Sequence, residues 1–219
     1  MEPMEPGETV SDFDGLRFVI ARYNEDIEWV PPLMKRFPGA RCTVYNKGPT
    51  EINESSAYEI RTLKNVGRES HTYLHHIIEI YDSEESTRDE IIVFLQGHPF
   101  DHCKDVNRNI YQSIMDGVLR IMEGSVFENI GSQLIQIVHG EPTFHMTIKE
   151  ELATTSLELL ECKLPAEFTF SAGALFVTSR SSIERRPIGF YQKAMAMLDS
   201  EINPIRGFCF ERLWSLIFV

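Results

Sequence analysis

The chain has 219 residues, 42% hydrophobic and 25% charged, with a formal net charge of −12 at pH 7. That is enough apolar chain for one sizeable core, and the negative balance excludes a surface devoted mainly to nucleic acid, although Arg22, Arg68 and Arg180 could still form a local phosphate pocket. Cys42, Cys103, Cys162 and Cys209 are widely spaced without a CxxC pair, and no apolar run reaches the roughly 18 residues of a membrane span, which excludes a disulfide framework, a zinc ribbon and a spanning helix.

Residues 1–15 are rich in Pro, Glu and Gly and have little apolar surface to set against the entropy of ordering them, so they read as a flexible acidic tail before a single domain over 16–219. With no basic-then-apolar leader, the chain as given reads as cytoplasmic. Leu16 to Ala21 (LRFVIA) is a strand ending in the polar burst Arg22-Tyr23-Asn24-Glu25-Asp26, whose residues can cap the next helix, contact a ligand, or do both. Asp26 to Phe37 predicts a short helix around Pro31-Pro32, and Cys42 to Tyr45 predicts a second strand followed by the turn Asn46-Lys47-Gly48-Pro49. Strand, helix and strand within about 30 residues make a βαβ unit, hence an α/β fold with a mainly parallel central sheet flanked by helices.

Asn65-Val66-Gly67-Arg68 reads as a turn opening a helix over Ser70 to Tyr81, with Ser70 or Glu69 able to cap its exposed N–H groups, an N-terminus that suits an anion. The charged segment DSEESTRDE is a solvated loop, and Ile91 to Leu95 (IIVFL) is a strand buried on both faces. Its polar carboxyl end, Gln96-Gly97-His98-Pro99-Phe100-Asp101-His102, lies where α/β sheets bind ligands. Lys104 to Met122 carries a helical apolar stripe, residues 127–147 read as loop with a strand at Leu134 to Val138, and Ile148 to Leu160 returns to helix. Phe168 to Thr178 is two strands joined by a Gly/Ala approach at Gly173; Ser181 to Met197 holds Arg185-Arg186-Pro187 and then a helix through Phe190, Tyr191, Ala194 and Leu198, and Ile205 to Val219 is a final helix.

Asp101 between His98 and His102 offers oxygen and nitrogen donors for Mg²⁺ or Mn²⁺, with a polar turn as the structural alternative. His71 and His75 have metal-ligand spacing but lack the general-base Glu of a zinc protease motif, and His139, Glu141 and His145 form a looser group; neither set is assigned a metal. Glu211, among Phe208, Phe210 and Trp214, reads as a general base or as an ion-pair partner of Arg212 or Arg180. The absence of GxSxG, P-loop and GxGxxG signatures lowers serine hydrolases, P-loop kinases and Rossmann dehydrogenases.

The segments FVIARYNEDIEWV, VYNKG, NVGRESHTYLHHII, IIVFLQGHPFDH, FTFSAGALFVTSRSSIERRPIGFY and FERLWSLIF, in this order, resemble a family of uncharacterised fungal and bacterial proteins catalogued as a domain of unknown function. More remotely, the layout resembles glycosyltransferases of the A-type fold. That resemblance implies a nucleotide-sugar donor and a small or glycan hydroxyl acceptor. Arg22, Asn24 and Glu25 would face the nucleotide, Asn65, Gly67 and Arg68 the base or diphosphate, and the strand bearing Gly173 the acceptor or sugar, with Gln96 at the central strand end. Where such enzymes carry Asp-x-Asp, this chain has Gln96-Gly97-His98; either Asp101 and His102 substitute as divalent-cation ligands, or Arg68 and the helix N-terminus neutralise the diphosphate. Glu211 or Asp101 would take the acceptor proton. A catalytically silent nucleotide or carbohydrate binder, and a metal-dependent hydrolase centred on Asp101, are the alternatives.

Overall fold

The computed structural model describes residues 13–81, 83, 90–102, 109–131, 134–138 and 146–218. The sequence up to residue 12, Cys103 and the group His139, Glu141 and His145 lie outside them. In chain order the elements are β1 (Leu16–Arg22), α1 (Val30–Met34), β2 (Arg41–Asn46), β3 (Glu59–Thr62), α2 (Arg68–Tyr81), β4 (Ile91–Gln96), a 3-10 turn (Pro99–His102) and α3 (Ile110–Met122). They continue with β5 (Phe127–Asn129), β6 (Leu134–Val138), α4 (Met146–Leu160), β7 (Glu167–Ser171), β8 (Phe176–Ser179), α5 (Arg180–Ile183), α6 (Ile188–Ala196) and α7 (Ile205–Ile217).

The continuous apolar runs of β1 and β4 demand cover on both faces, and they lie at the centre of a six-stranded sheet of order β3-β2-β1-β4-β8-β5. The pairs β1–β2, β1–β4 and β2–β3 are parallel, while β8 runs antiparallel to both β4 and β5. Side chains alternate across the sheet. Val19 and Ala21 face a core with Tyr73, Leu74, Phe94, Phe176, Phe210 and Trp214, beneath α2, α4, α6 and α7. Phe18 and Ile20 face the other way, onto Val30, Leu33, Val93, Ile114 and Val118 beneath α1 and α3. The result is three layers, helix on sheet on helix. The pair β6–β7 forms a separate two-stranded antiparallel sheet, and among the described residues no helix is long and apolar enough to cross a membrane.

The α/β architecture with a mainly parallel sheet matches the expectation, whereas several elements differ in extent. The first helix shrinks to five residues with proline in its first turn, since proline lacks the N–H that a longer helix interior would need. The helix expected after Pro187 is α6, and a further short helix, α5, precedes it. Short β3 and β5 were not anticipated: their pattern is too brief to separate from loop, and pairing with β2 and β8 is what defines them.

Candidate functional site

The connections leave β1 in opposite directions: β2 and β3 build one way, and the chain then returns to place β4 on the other side. Loops diverge at such a reversal of strand order and leave a crevice at the carboxyl ends of the strands. A cleft of about 460 Å³ occupies that place, lined by Ala21, Arg22, Tyr23 and Glu25 after β1, Lys47 after β2, Asn65, Arg68 and Glu69 at the start of α2, Gln96 at the end of β4, and Ile202 and Asn203 before α7. A second hollow of about 470 Å³ lies at the other edge, against Leu16 and Ile91, where apolar side chains and serine hydroxyls meet and no ionisable group converges.

Of the residues expected to bind a ligand, Arg22, Glu25, Asn65, Arg68 and Gln96 meet in this cleft. Arg22 is buried and organises its walls, donating to the Glu25 carbonyl at 2.9 Å, Asn46 Oδ1 at 2.7 Å and the Thr50 carbonyl at 3.1 Å. Glu25 Oε2 accepts from the Tyr23 N–H at 2.6 Å. It also packs on Gly97, where an added Cβ would stand 2.8 Å from that oxygen. Asn24 is outside the lining, its Oδ1 accepting from the Thr50 hydroxyl at 3.1 Å. Gly67 shapes the turn below: its φ is +62°, its N–H donates to the Glu201 carbonyl at 2.8 Å, and Arg68 follows at φ +55°. Arg68 lies along Gly207 with its guanidinium 4.0 Å from the Phe208 ring centre, and donates to Asn203 Oδ1 at 3.2 Å.

Lys47 and Glu69, expected only as a turn residue and a helix cap, are the most perturbed ionisable groups of the cleft. Lys47 is 8% exposed and donates to the Val66 and Arg68 carbonyls. Burial lowers its pKa to about 8, against the opposing pull of the Glu69 carboxylate. Glu69 is also 8% exposed. Burial raises its pKa most, Glu211 adds to the rise, and Arg68, its own N–H and Lys47 oppose it. One sequence signal did point to Lys47: it directly follows β2, and so shares the carboxyl edge with the ends of β1 and β4.

The remaining expected residues form two other groups. Gly173, with φ +83°, donates its N–H to Glu211 Oε1 at 2.5 Å, while Glu211 Oε2 lies 3.3 Å from Arg212. The His102 ring covers Gly173, since a Cβ there would stand 2.3 Å from His102 Cδ2. His98 and Asp101 pair at 3.8 Å, with side-chain exposures of 49% and 68%. Among the described residues no three His, Cys, Asp or Glu side chains are placed to hold one metal ion. His98, Asp101 and His102 therefore do not form a three-ligand cation site. His71 and His75 turn to separate carboxylates, Asp199 and Glu79. Arg180 is bound to Glu184 and to the Tyr81 and Ser83 carbonyls instead of joining the cleft.

The family model described as Protein of unknown function (DUF3431) matches residues 18–219. No curated protein matches the chain. Among solved structures, 4-diphosphocytidyl-2C-methyl-D-erythritol synthase is similar at 6% identity with a TM-score of 0.42, over 89% of this chain and 82% of that one, a likeness that carries nothing about function.

Proposed function

We propose, for a chain that belongs to the DUF3431 family of proteins of unknown function, that it binds a nucleotide sugar in this cleft and transfers the sugar to a hydroxyl acceptor. One observation carries the reading: Arg22, Lys47 and Arg68, from three separate segments, converge with the N-terminus of the 14-residue helix α2 where the strand order reverses. Such a site suits the diphosphate of the donor. Tyr23, 45% exposed in the cleft wall, offers a ring on which a base can stack, and Glu25, Gln96, Asn65 and Asn203 offer acceptors and donors to hydroxyl groups.

In the proposed reaction the acceptor oxygen bonds to the anomeric carbon, the bond from that carbon to the diphosphate oxygen breaks, and its electron pair leaves with the diphosphate. The cationic side chains and helix N-terminus stabilise that charge. The acceptor proton goes to a carboxylate. Of the two expected, Glu211 is the better placed, because its charge reaches Glu69 in the cleft lining, whereas Asp101 stands exposed beside His98. A carboxylate offers about four acceptor positions, so the contacts to Gly173 and Arg212 leave Glu211 room for a proton. Those same contacts, engaging both of its oxygens, favour the second reading of a protein that binds the ligand without transferring the sugar.

Thermal unfolding with UDP-, GDP- and ADP-sugars, with and without Mn²⁺, tests the reading. A ligand that binds only the folded state raises the midpoint. The expected result is a shift with one donor that persists without Mn²⁺, and affinity at least about tenfold weaker in Arg68→Ala, as for a lost charge-assisted bond. Release of free nucleoside diphosphate separates transferase from silent binder. No shift with any donor removes both.

A further inference from the structure

Within the cleft, Glu69 is a carboxylate with one oxygen left over. Its Oε1 is buried without a hydrogen-bond partner, and Oε2 stands 3.5 Å from Arg68 Nε, itself buried without a hydrogen bond. The charged and titratable groups facing it are Arg68 and Tyr73 of its own helix, Lys47 after β2 and Glu211 of α7. A carboxylate at the start of a helix stands where an entering anion would sit, and Glu69 lies buried in the first turn of α2. Two negative charges in so poorly solvated a place cannot both persist without large cost. One must be neutralised.

We propose that anion binding in this cleft is coupled to protonation of Glu69: as a diphosphate enters, the carboxyl takes one proton from solvent, and its new O–H donates to a phosphate oxygen. The idea rests on the reading of the cleft as a nucleotide-sugar site. The free Oε1 becomes a donor with a partner, and Arg68 and Lys47 turn from Glu69 toward the ligand. Burial already raises the carboxyl's pKa in the free protein, so the proton is taken up at modest cost. Affinity then rises as pH falls, by up to about tenfold per unit while Glu69 is ionised free and protonated bound.

The test is calorimetric titration of the full chain with UDP-glucose, GDP-mannose and ADP-glucose, whose phosphates carry no group titrating near neutrality. Each is run at pH 6.5, below the value of about 8 for Lys47, in two buffers of different ionisation heat. The enthalpy difference between buffers counts protons. The wild-type chain is expected to take up about one proton per ligand, and Glu69→Gln, which stays neutral, to bind with clearly smaller uptake and with a flatter dependence of affinity on pH between roughly 6 and 7. Wild-type binding without uptake overturns the coupling and leaves the nucleotide-sugar reading intact; so does equal uptake in Glu69→Gln. Binding of none of the three to either protein overturns both. The wild-type comparison needs no variant to fold.

Discussion

Lys47 lies between burial, which disfavours its charge, and two carbonyls, which hold it. With a pKa lowered to about 8, it is cationic below that pH and loses its charge as pH rises through it. Anion affinity is therefore expected to drop above pH 8, by roughly tenfold or more for a lost charge-assisted bond. Lys47→Arg, charged throughout, flattens that drop; ligand titration from pH 7 to 9.5 measures it, and an unchanged drop would remove Lys47 from the site. Gly67 gives a stability prediction at the same scale. Its φ of +62° and an added Cβ at 2.7 Å from His71 Cβ make Gly67→Ala costly, by about 1–3 kcal/mol. Gly189, exposed in α6 with nothing within 4 Å of an added Cβ, should gain about 0.5–1 kcal/mol as alanine. Denaturant midpoints should move in opposite directions; movement in the same direction would contradict the turn argument.

Elements buried on both faces were the most legible in the sequence. The run IIVFL became β4 and LRFVIA, apolar from Phe18 to Ala21, became β1, because such apolar runs lie at the centre of a covered sheet. Helix α2 was also legible, with Tyr73 lying 4.9 Å from Phe94 and 6.0 Å from Trp214 by ring centres. The reading faltered where structure depends on a distant partner. Four-residue β3 exists through its ladder to β2, and three-residue β5 through β8. The site divides the same way. Arg22, Glu25 and Gln96 announce themselves at strand ends, but Asn203 reaches the cleft through a contact with Arg68 that no local pattern encodes.

For the whole molecule, ionisation sets how stability varies with pH. His76 lies buried on α2, its Nδ1 hydrogen-bonded to the Tyr45 hydroxyl at 2.8 Å, and burial first, then Arg17, Arg61 and His75, hold its pKa well below 6.5. His71 is lowered to about 4, chiefly by burial. With folded values below the unfolded one, the unfolded chain binds more protons, so this stability is present above pH 6.5 and is lost as pH falls below it. For His76 the slope is about 1.4 kcal/mol per pH unit. Glu69 acts in the opposite sense, because a raised folded value adds stability as pH falls through it. Thermal midpoints between pH 7 and 5 should therefore fall, more steeply in Glu69→Gln and less steeply in His76→Asn; a flat profile in Glu69→Gln would contradict the histidine account.

The bond between Arg68 and Asn203 joins positions 135 residues apart, and Gly67 reaches past it to Glu201. A chain emerging from the ribosome can pair β1, β2 and β4 early, yet the wall formed by Ile202 and Asn203 does not exist until nearly all of it has been made. A chain interrupted before residue 203 lacks the complete cleft.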